Sequence, residues 1–308
     1  MPTIGLPKAL FYYQHSVLWE NFFQNLGCRV VVSSDTNKQI LDSGVTLCSS
    51  ETCLPVKVFH GHVHSLMNRA DYIFVPRYTS VRKDEFTCPK FCALPEVTLI
   101  NLKKQVKLLT IDINANSSQK NMCISLREMA RELKLNFEFA VKEFKDAFDK
   151  HANHADGIAG RLGSYSASGE REPSIAVLGH PYMIFDEYIN MKLIKKLRSR
   201  KLAVYFPSSL NYSQIRENAF PYQGRVFWEA GLDNLGSAFT FARYKNIRGI
   251  IYLTPFACGV DSFVTELIER RIRHISSMPF IKLTIDEHSG EAGFDTRVEA
   301  FLDMVGRT

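Results

Sequence analysis

No apolar run in the sequence approaches the ~18 residues that a membrane-spanning helix needs. Its first residues, "MPTIGLPKALFYY", lack the charged, then apolar, then small-residue order of a secretory signal. A cytoplasmic protein that does not enter a membrane is therefore expected. Charge of one sign is scarce as well: the formal net charge is +6 over 308 residues, and the lysines and arginines are spread along the chain. The densest basic run, "KLIKKLRSRK" at 192–201, has helical spacing and reads as a solvated helix face. No basic strand interleaved with aromatics offers a surface for stacking bases. Nucleic acid is not expected as a partner.

Two further absences concern chemistry. Paired C-x-x-C knuckles are missing, which argues against the usual structural zinc site. A glycine-rich loop leading into Lys-Ser or Lys-Thr is also missing, so no segment reads as an ATP site of its own. The cysteines that are present need another explanation. They number seven, an odd count in a chain too large to depend on disulfide staples.

The rest of the pattern is an alternation of short apolar runs and helical periods. "TIGLP", a helix through "ALFYYQHSVLWENFFQNLG" and "CRVVVS" make a strand–helix–strand opening, with Cys28 in the core. "NKQILDSGVTL" reads as a helix closing at Gly44, "ADYIFVP" as a strand with a long irregular loop through Glu85, and "VKLLTIDI" as one further strand. Helices follow from about Ser125 to Asp149, with Cys123 on a buried helix face. The segment 151–172 is rich in Gly, Ser, Ala and charge and reads as a connection. The alternation then restarts with the strands "SIAVLGH", "LAVYFP", "GIIYLTPF" and "PFIKLTID" separated by helices. The expected fold class is α/β: two doubly wound, Rossmann-like parallel-sheet domains. The N-terminal domain covers 1–150 and carries Cys53 and Cys88; the C-terminal domain covers 173–308 and carries Cys258.

Open α/β sheets bind ligands beyond the carboxyl ends of their strands. Cys258, in "FACGVDS", lies just past a strand and before a helix that Asp261 or Ser262 is placed to cap. Cys88 and Cys92, in "CPKFC", lie on the loop that leaves "YIFVP". Cys53 stands before Pro55, a favoured first helical residue, where helix N–H groups favour a thiolate. In "CLPVKVFHGHVHSL" the apolar spacing predicts a helix, which puts His60 and His64 on one face and His62 on another. No glutamate stands between them and no third ligand is suggested, so a zinc site there is the weaker reading. Three single cysteines delivered to the presumed same edge between two domains suit a cubane iron–sulfur cluster better than structural zinc. Ordinary core or loop cysteines are the alternative.

The motifs "CLPVKVFHGH", "CPKF", "GHPYMIFDEYIN", "FACGVDS" and "IDEHSGEAGFDTRVEAF" together resemble the 2-hydroxyacyl-CoA dehydratase component family, which includes benzoyl-CoA reductase subunits. The nearest resemblance is to stand-alone acyl-CoA dehydratase activase-related proteins, with double-cubane cluster proteins as relatives. The resemblance implies an oxygen-sensitive iron–sulfur protein of anaerobes: a low-potential reductase or dehydratase component. A separate ATP-hydrolysing activase with its own cluster would supply its electrons. It implies Cys53, Cys88 and Cys258 as iron ligands, with Cys92 and Cys48 as additional candidates. The cluster would be 4Fe-4S, or an 8Fe-9S double cubane, at a site between the domains. A second copy or a related second subunit, and an acyl-CoA or another small substrate, are implied in the same way. A non-catalytic electron-transfer or accessory subunit is the rival from another class, and a zinc-stabilised binding protein a third.

Other polar residues are candidates by position alone. His180 and Tyr182, in "GHPY", follow a strand and are candidate proton donors. Asp286, Glu287, His288 and Glu291 form a polar strand-end loop that reads as loop-fixing before catalytic. Thr296 and Glu299 fit a capping box. Lys57 and Lys90 are placed to offset cluster charge, and Lys8 to meet an anion.

Overall fold

The computed structural model describes residues 1–117, 120–152, 173–220 and 222–306. The chain forms two compact units, Met1–Ile158 and Ala159–Thr308. The sequence-based connection lies outside the described residues, except that 151 and 152 end the helix Phe137–Ala152.

In the first unit, strands β1 (Thr3–Leu6), β2 (Arg29–Val32), β3 (Tyr72–Phe74) and β5 (Leu108–Leu109) form a parallel sheet in the order β2-β1-β3-β5. A second, two-stranded parallel sheet pairs β4 (Arg77–Ser80) with β6 (Asp112–Asn114). This corrects two expectations: the stretch after "YIFVP" is not all loop, and "VKLLTIDI" is two strands. The register is the same in both pairings, Phe74 opposite Leu109 and Arg77 opposite Asp112. The bonds from Val75 N–H to Leu109 O (2.9 Å) and from Arg77 N–H to Ile111 O (3.0 Å) keep the two-residue spacing of a parallel ladder. β1 ends at Leu6, so beyond it the two partners run on as a separate ribbon.

The expected helix end at Gly44 is also corrected. The helix Lys38–Leu47 runs through it. A Cβ at Gly44 would lie 1.9 Å from the Lys57 carbonyl oxygen, and one at Gly61 would lie 1.9 Å from that of Ile40. Each glycine thus lets the helices Lys38–Leu47 and Leu54–Leu66 meet backbone to backbone. Gly44 serves packing, and the chain turns three residues later.

In the second unit, β7 (Ser174–Gly179), β8 (Ala203–Tyr205), β9 (Ile247–Pro255) and β10 (Phe280–Ile285) form a parallel sheet in the order β10-β9-β7-β8. Every residue of β7 is buried, and so is β9 apart from Arg248, whereas the edge strand β10 alternates. Continuous apolar runs are what a central strand covered on both faces requires. Leu178, Ile250 and Tyr252 pack with Leu235, Ala238, Val264 and Ile268 from the flanking helices. The helix Tyr212–Ala219 was not anticipated, although Asn211 caps it by accepting from Gln214 N–H at 2.9 Å. The last helix, Glu291–Val305, begins at Gly290, so Thr296 lies inside it and donates to Ala292 O at 2.9 Å. The capping box at Thr296 and Glu299 is therefore wrong.

Candidate functional site

The order β10-β9-β7-β8 sends the chain to one side of β7 and then to the other. That makes a topological switch between β7 and β9, the place where such sheets bind ligands. His180 immediately follows β7, and Cys258 follows β9 by three residues. Gly179 has φ +135°, and a Cβ there would lie 2.5 Å from the Leu253 carbonyl oxygen. Only glycine lets β7 close on β9 and still turn out to His180. Its N–H donates to the Asn234 side chain at 2.8 Å. On the other side, Ala257 has φ 62°, a strained value for alanine, one residue before Cys258.

Cys258 caps the helix Gly259–Ile275, its sulfur accepting from Asp261 N–H at 3.5 Å. This corrects the expectation that Asp261 or Ser262 supplies the cap. The Asp261 side chain turns inward instead and is 1% exposed. Its Oδ1 lies 3.3 Å from His180 Nε2 and accepts from the Tyr252 hydroxyl at 3.0 Å. Its Oδ2 is buried without a partner. One ligating atom each of His180, Cys258 and Asp261 lies within 4.8 Å of the others. Tyr182 stacks on His180, the rings 4.8 Å apart at 8°. Burial pushes the His180 imidazole down, but the Asp261 charge and hydrogen bond, with Cys258, outweigh it and hold His180 well above its ordinary value. Burial and then the Asp261 charge push the Tyr252 phenol up. The sequence hides the role of Asp261, because an aspartate just ahead of the apolar run "SFVTELIERRI" reads as a cap; the helix in fact starts two residues earlier, at Gly259.

In the first unit, Cys48 ends the helix Lys38–Leu47 and Cys53 starts the helix Leu54–Leu66. The glycine-mediated crossing therefore puts both thiols at one end of a helical hairpin. Cys53 is buried, and in chain order it stands between two helices. Burial pushes the Cys48 thiol up to about 11; Lys57 pulls it back, Cys53 raises it further, and Asn101 lowers it. Asn101 Nδ2 lies 3.6 Å from Cys48 Sγ and 3.2 Å from His60 Nε2. Lys57 is buried and donates to Ser50 O at 3.2 Å. Cys88 caps the short helix Pro89–Cys92 and is half-buried. Thr87 ties that start back to β4 by donating to Tyr78 O at 2.6 Å. Cys92 Sγ donates to the same carbonyl at 3.6 Å, and Lys90 is exposed. Among the described residues, no three of Cys48, Cys53, Cys88 and Cys92 come as close together as a single ion demands.

The three histidines of the helix Leu54–Leu66 do not form a site. His60 and His62 are fully buried and His64 is exposed, so His60 and His64, one turn apart on the helix, lie in different surroundings. The helix is covered on nearly all sides, and its periodicity concealed that. His60 Nδ1 bonds Val56 O at 2.7 Å. His62 lies between the Ser33 and Thr36 hydroxyls at 2.8 and 2.9 Å. Cys28 is buried, and Cys123 is only half-buried, against the expected core position. Asp286 fixes its loop, accepting from His288 N–H at 3.0 Å and Ser289 Oγ at 2.7 Å. Glu291 pairs with Lys196 at 2.8 Å, and Lys8 pairs with Asp35.

Two units, each built on a parallel sheet, with cysteines at helix starts and a buried His–Asp pair at a topological switch, define an α/β protein. The chain belongs to the family described as the CoA enzyme activase uncharacterised domain (DUF2229), whose model matches residues 3–210 of the 308. The match includes Cys48, Cys53, Cys88, Cys92 and His180, and stops short of Cys258 and Asp261. A search of curated proteins found no match. Among the described residues, no helix is long and apolar enough to cross a membrane.

Proposed function

We propose that this chain is the iron–sulfur component of a CoA-enzyme system in anaerobic metabolism. It receives low-potential electrons from a separate ATP-hydrolysing activase that carries its own cluster. The observation that carries this reading is the shared position of Cys53, Cys88 and Cys258, each the capping residue of a helix. Free N–H groups of a first helical turn stabilise thiolates and donate to sulfur. The donor set fits an iron–sulfur group: three soft thiolates from separate segments, with the charge of the buried Lys57 acting on Cys48 to offset negative charge. Cys48 and Cys92 are the additional thiols for a fourth ligand or a double cubane.

When bound, a 4Fe-4S group with one iron free of cysteine supplies one-electron reduction and Lewis-acid chemistry. The protein's own contribution is to hold the thiolates, to keep His180 against Asp261 and Tyr182, and to shield Asp261 from water. His180 and Tyr182 are the proposed proton donors for an acyl-CoA or another small reducible substrate. A second reading, a non-catalytic electron-transfer or accessory subunit, draws support from the word activase in the family's description.

Anaerobic purification followed by iron and sulfide analysis tests the proposal. About four irons per chain are expected for one cubane and about eight for a double cubane. Cys53→Ser, Cys88→Ser and Cys258→Ser should each lose the cluster, and Cys123→Ser should keep it. Iron-free, colourless protein after anaerobic preparation would end this reading, and full iron in Cys258→Ser would remove that ligand.

A further inference from the structure

The carboxylate oxygen Asp261 Oδ2 is buried with no hydrogen-bond partner, in a residue 1% exposed. Leaving such an atom unpaired is costly unless something binds there. The same carboxylate, the His180 imidazole and the Cys258 thiol each place one ligating atom within 4.8 Å of the others. Ligands about 2.0–2.3 Å from a tetrahedral ion lie about 3.3–3.8 Å apart. The His180 Nε2 to Asp261 Oδ1 separation is already 3.3 Å. The three donors stand on rigid supports: the end of β7 and the first turn of the helix Gly259–Ile275. The Tyr252 hydroxyl donates to Asp261 Oδ1 at 3.0 Å and orients the carboxylate from behind. Cys258 is half-buried, which leaves a path from solvent.

We propose that His180, Cys258 and Asp261 form a binding site for a single divalent transition-metal ion in the cluster-free protein. A mixed nitrogen, sulfur and oxygen donor set selects ions such as Fe2+, Co2+ or Zn2+ over Mg2+ and Ca2+. Three protein ligands leave a fourth position open, as in sites that exchange their metal or bind a further group. The ion takes the place of the proton between His180 and Asp261, and the Cys258 thiol proton goes to solvent, so binding releases protons. Cys258 is also a proposed cluster ligand. The single ion and the cluster are therefore alternative occupants, and the ion site does not depend on the cluster reading.

The test uses full-length, iron-free protein under anaerobic conditions with Co2+ as the probe. Expected are the near-ultraviolet thiolate-to-cobalt band and the visible bands of tetrahedral cobalt. Cys258→Ser should abolish the near-ultraviolet band, and His180→Gln and Asp261→Asn should each weaken binding about tenfold or more. Cys53→Ser and Cys88→Ser should bind Co2+ like the parent chain. A readout needing no variant is alkylation: Zn2+ should protect Cys258 from iodoacetamide, measured by peptide mass. Loss of the cobalt band in Cys53→Ser, unweakened binding in Asp261→Asn, or Zn2+ that leaves Cys258 alkylation unchanged overturns the site. Protein that assembles a four-iron cluster but takes up no cobalt overturns this inference alone. Protein that binds cobalt but never assembles a cluster overturns the iron–sulfur proposal alone.

Discussion

Gly44→Ala is expected to destabilise the first unit by about 3 kcal/mol or more, although alanine is the better helix former by about 1 kcal/mol. The added Cβ would sit 1.9 Å from the Lys57 carbonyl oxygen and 3.2 Å from Gly61 N. Backbone atoms of a helix do not give way as the end of a side chain does, so the two helices must separate. Gly61→Ala meets the Ile40 carbonyl at the same distance and should do the same. The control is Gly293→Ala in the last helix, where a Cβ meets nothing within 4 Å. There the intrinsic preference acts alone, and a gain of up to about 1 kcal/mol is expected. The chain has two tryptophans, Trp19 in the first unit and Trp228 in the second. Urea unfolding followed by Trp19 fluorescence in a Trp228→Phe background reads the first unit. An unchanged midpoint for Gly44→Ala would falsify the close-packing account. Because the crossing holds Cys48 beside Cys53, the same variant should also retain less iron.

Acidification from pH 6.5 to 4.5 is expected to cost the first unit about 2–3 kcal/mol through His62. Burial, aided by the Lys8 charge and opposed by Asp35, pushes its imidazole down to about 3. The folded histidine stays neutral between Ser33 and Thr36. The unfolded chain takes up a proton near the ordinary value of about 6.5. Between those values the unfolded state binds more protons, so stability falls as pH falls, by about 1.4 kcal/mol per pH unit. Above pH 6.5 the contribution is complete. His60 is pushed down by burial as well, in the same direction. His180 has the opposite sign: its raised value makes its contribution full below pH 6.5 and lost as pH rises through the folded value. Trp19 should therefore report acid destabilisation that Trp228 does not share. His62→Asn should flatten the Trp19 slope whatever it does to the midpoint at pH 7. A slope as steep in that variant as in the parent would assign the effect elsewhere.

The strands of the second unit were legible in the sequence because a central parallel strand must be apolar on both faces, as "SIAVLG" and "IIYLTP" are. Helix starts at Cys53 and Cys258 were legible from the proline and glycine beside them. Other features obeyed forces that a linear pattern does not carry. Gly44 looked like a stop because glycine usually ends helices, yet a neighbouring helix requires it. "VKLLTIDI" looked continuous because its division into β5 and β6 follows where the neighbouring strand β1 ends, which lies far away in the chain. Helical spacing already spoke against a shared ligand set of His60, His62 and His64, but it says nothing of cover from every side, which buries the first two.

By itself the sequence determined the alternation of strand and helix, the covalent neighbours of each cysteine and the separation of chemistry-bearing residues along the chain. Those depend on local preference and on periods of two and 3.6 residues. Tertiary structure alone decided that Asp261 faces His180 and Tyr252 with one oxygen unpaired. It also decided that Cys48 stands beside Cys53. Both are consequences of where separate elements meet: adjacent strand ends in one case, a crossing without side chains in the other. Free energy there depends on contacts between residues distant in sequence, and on which polar atoms lose water when those contacts form.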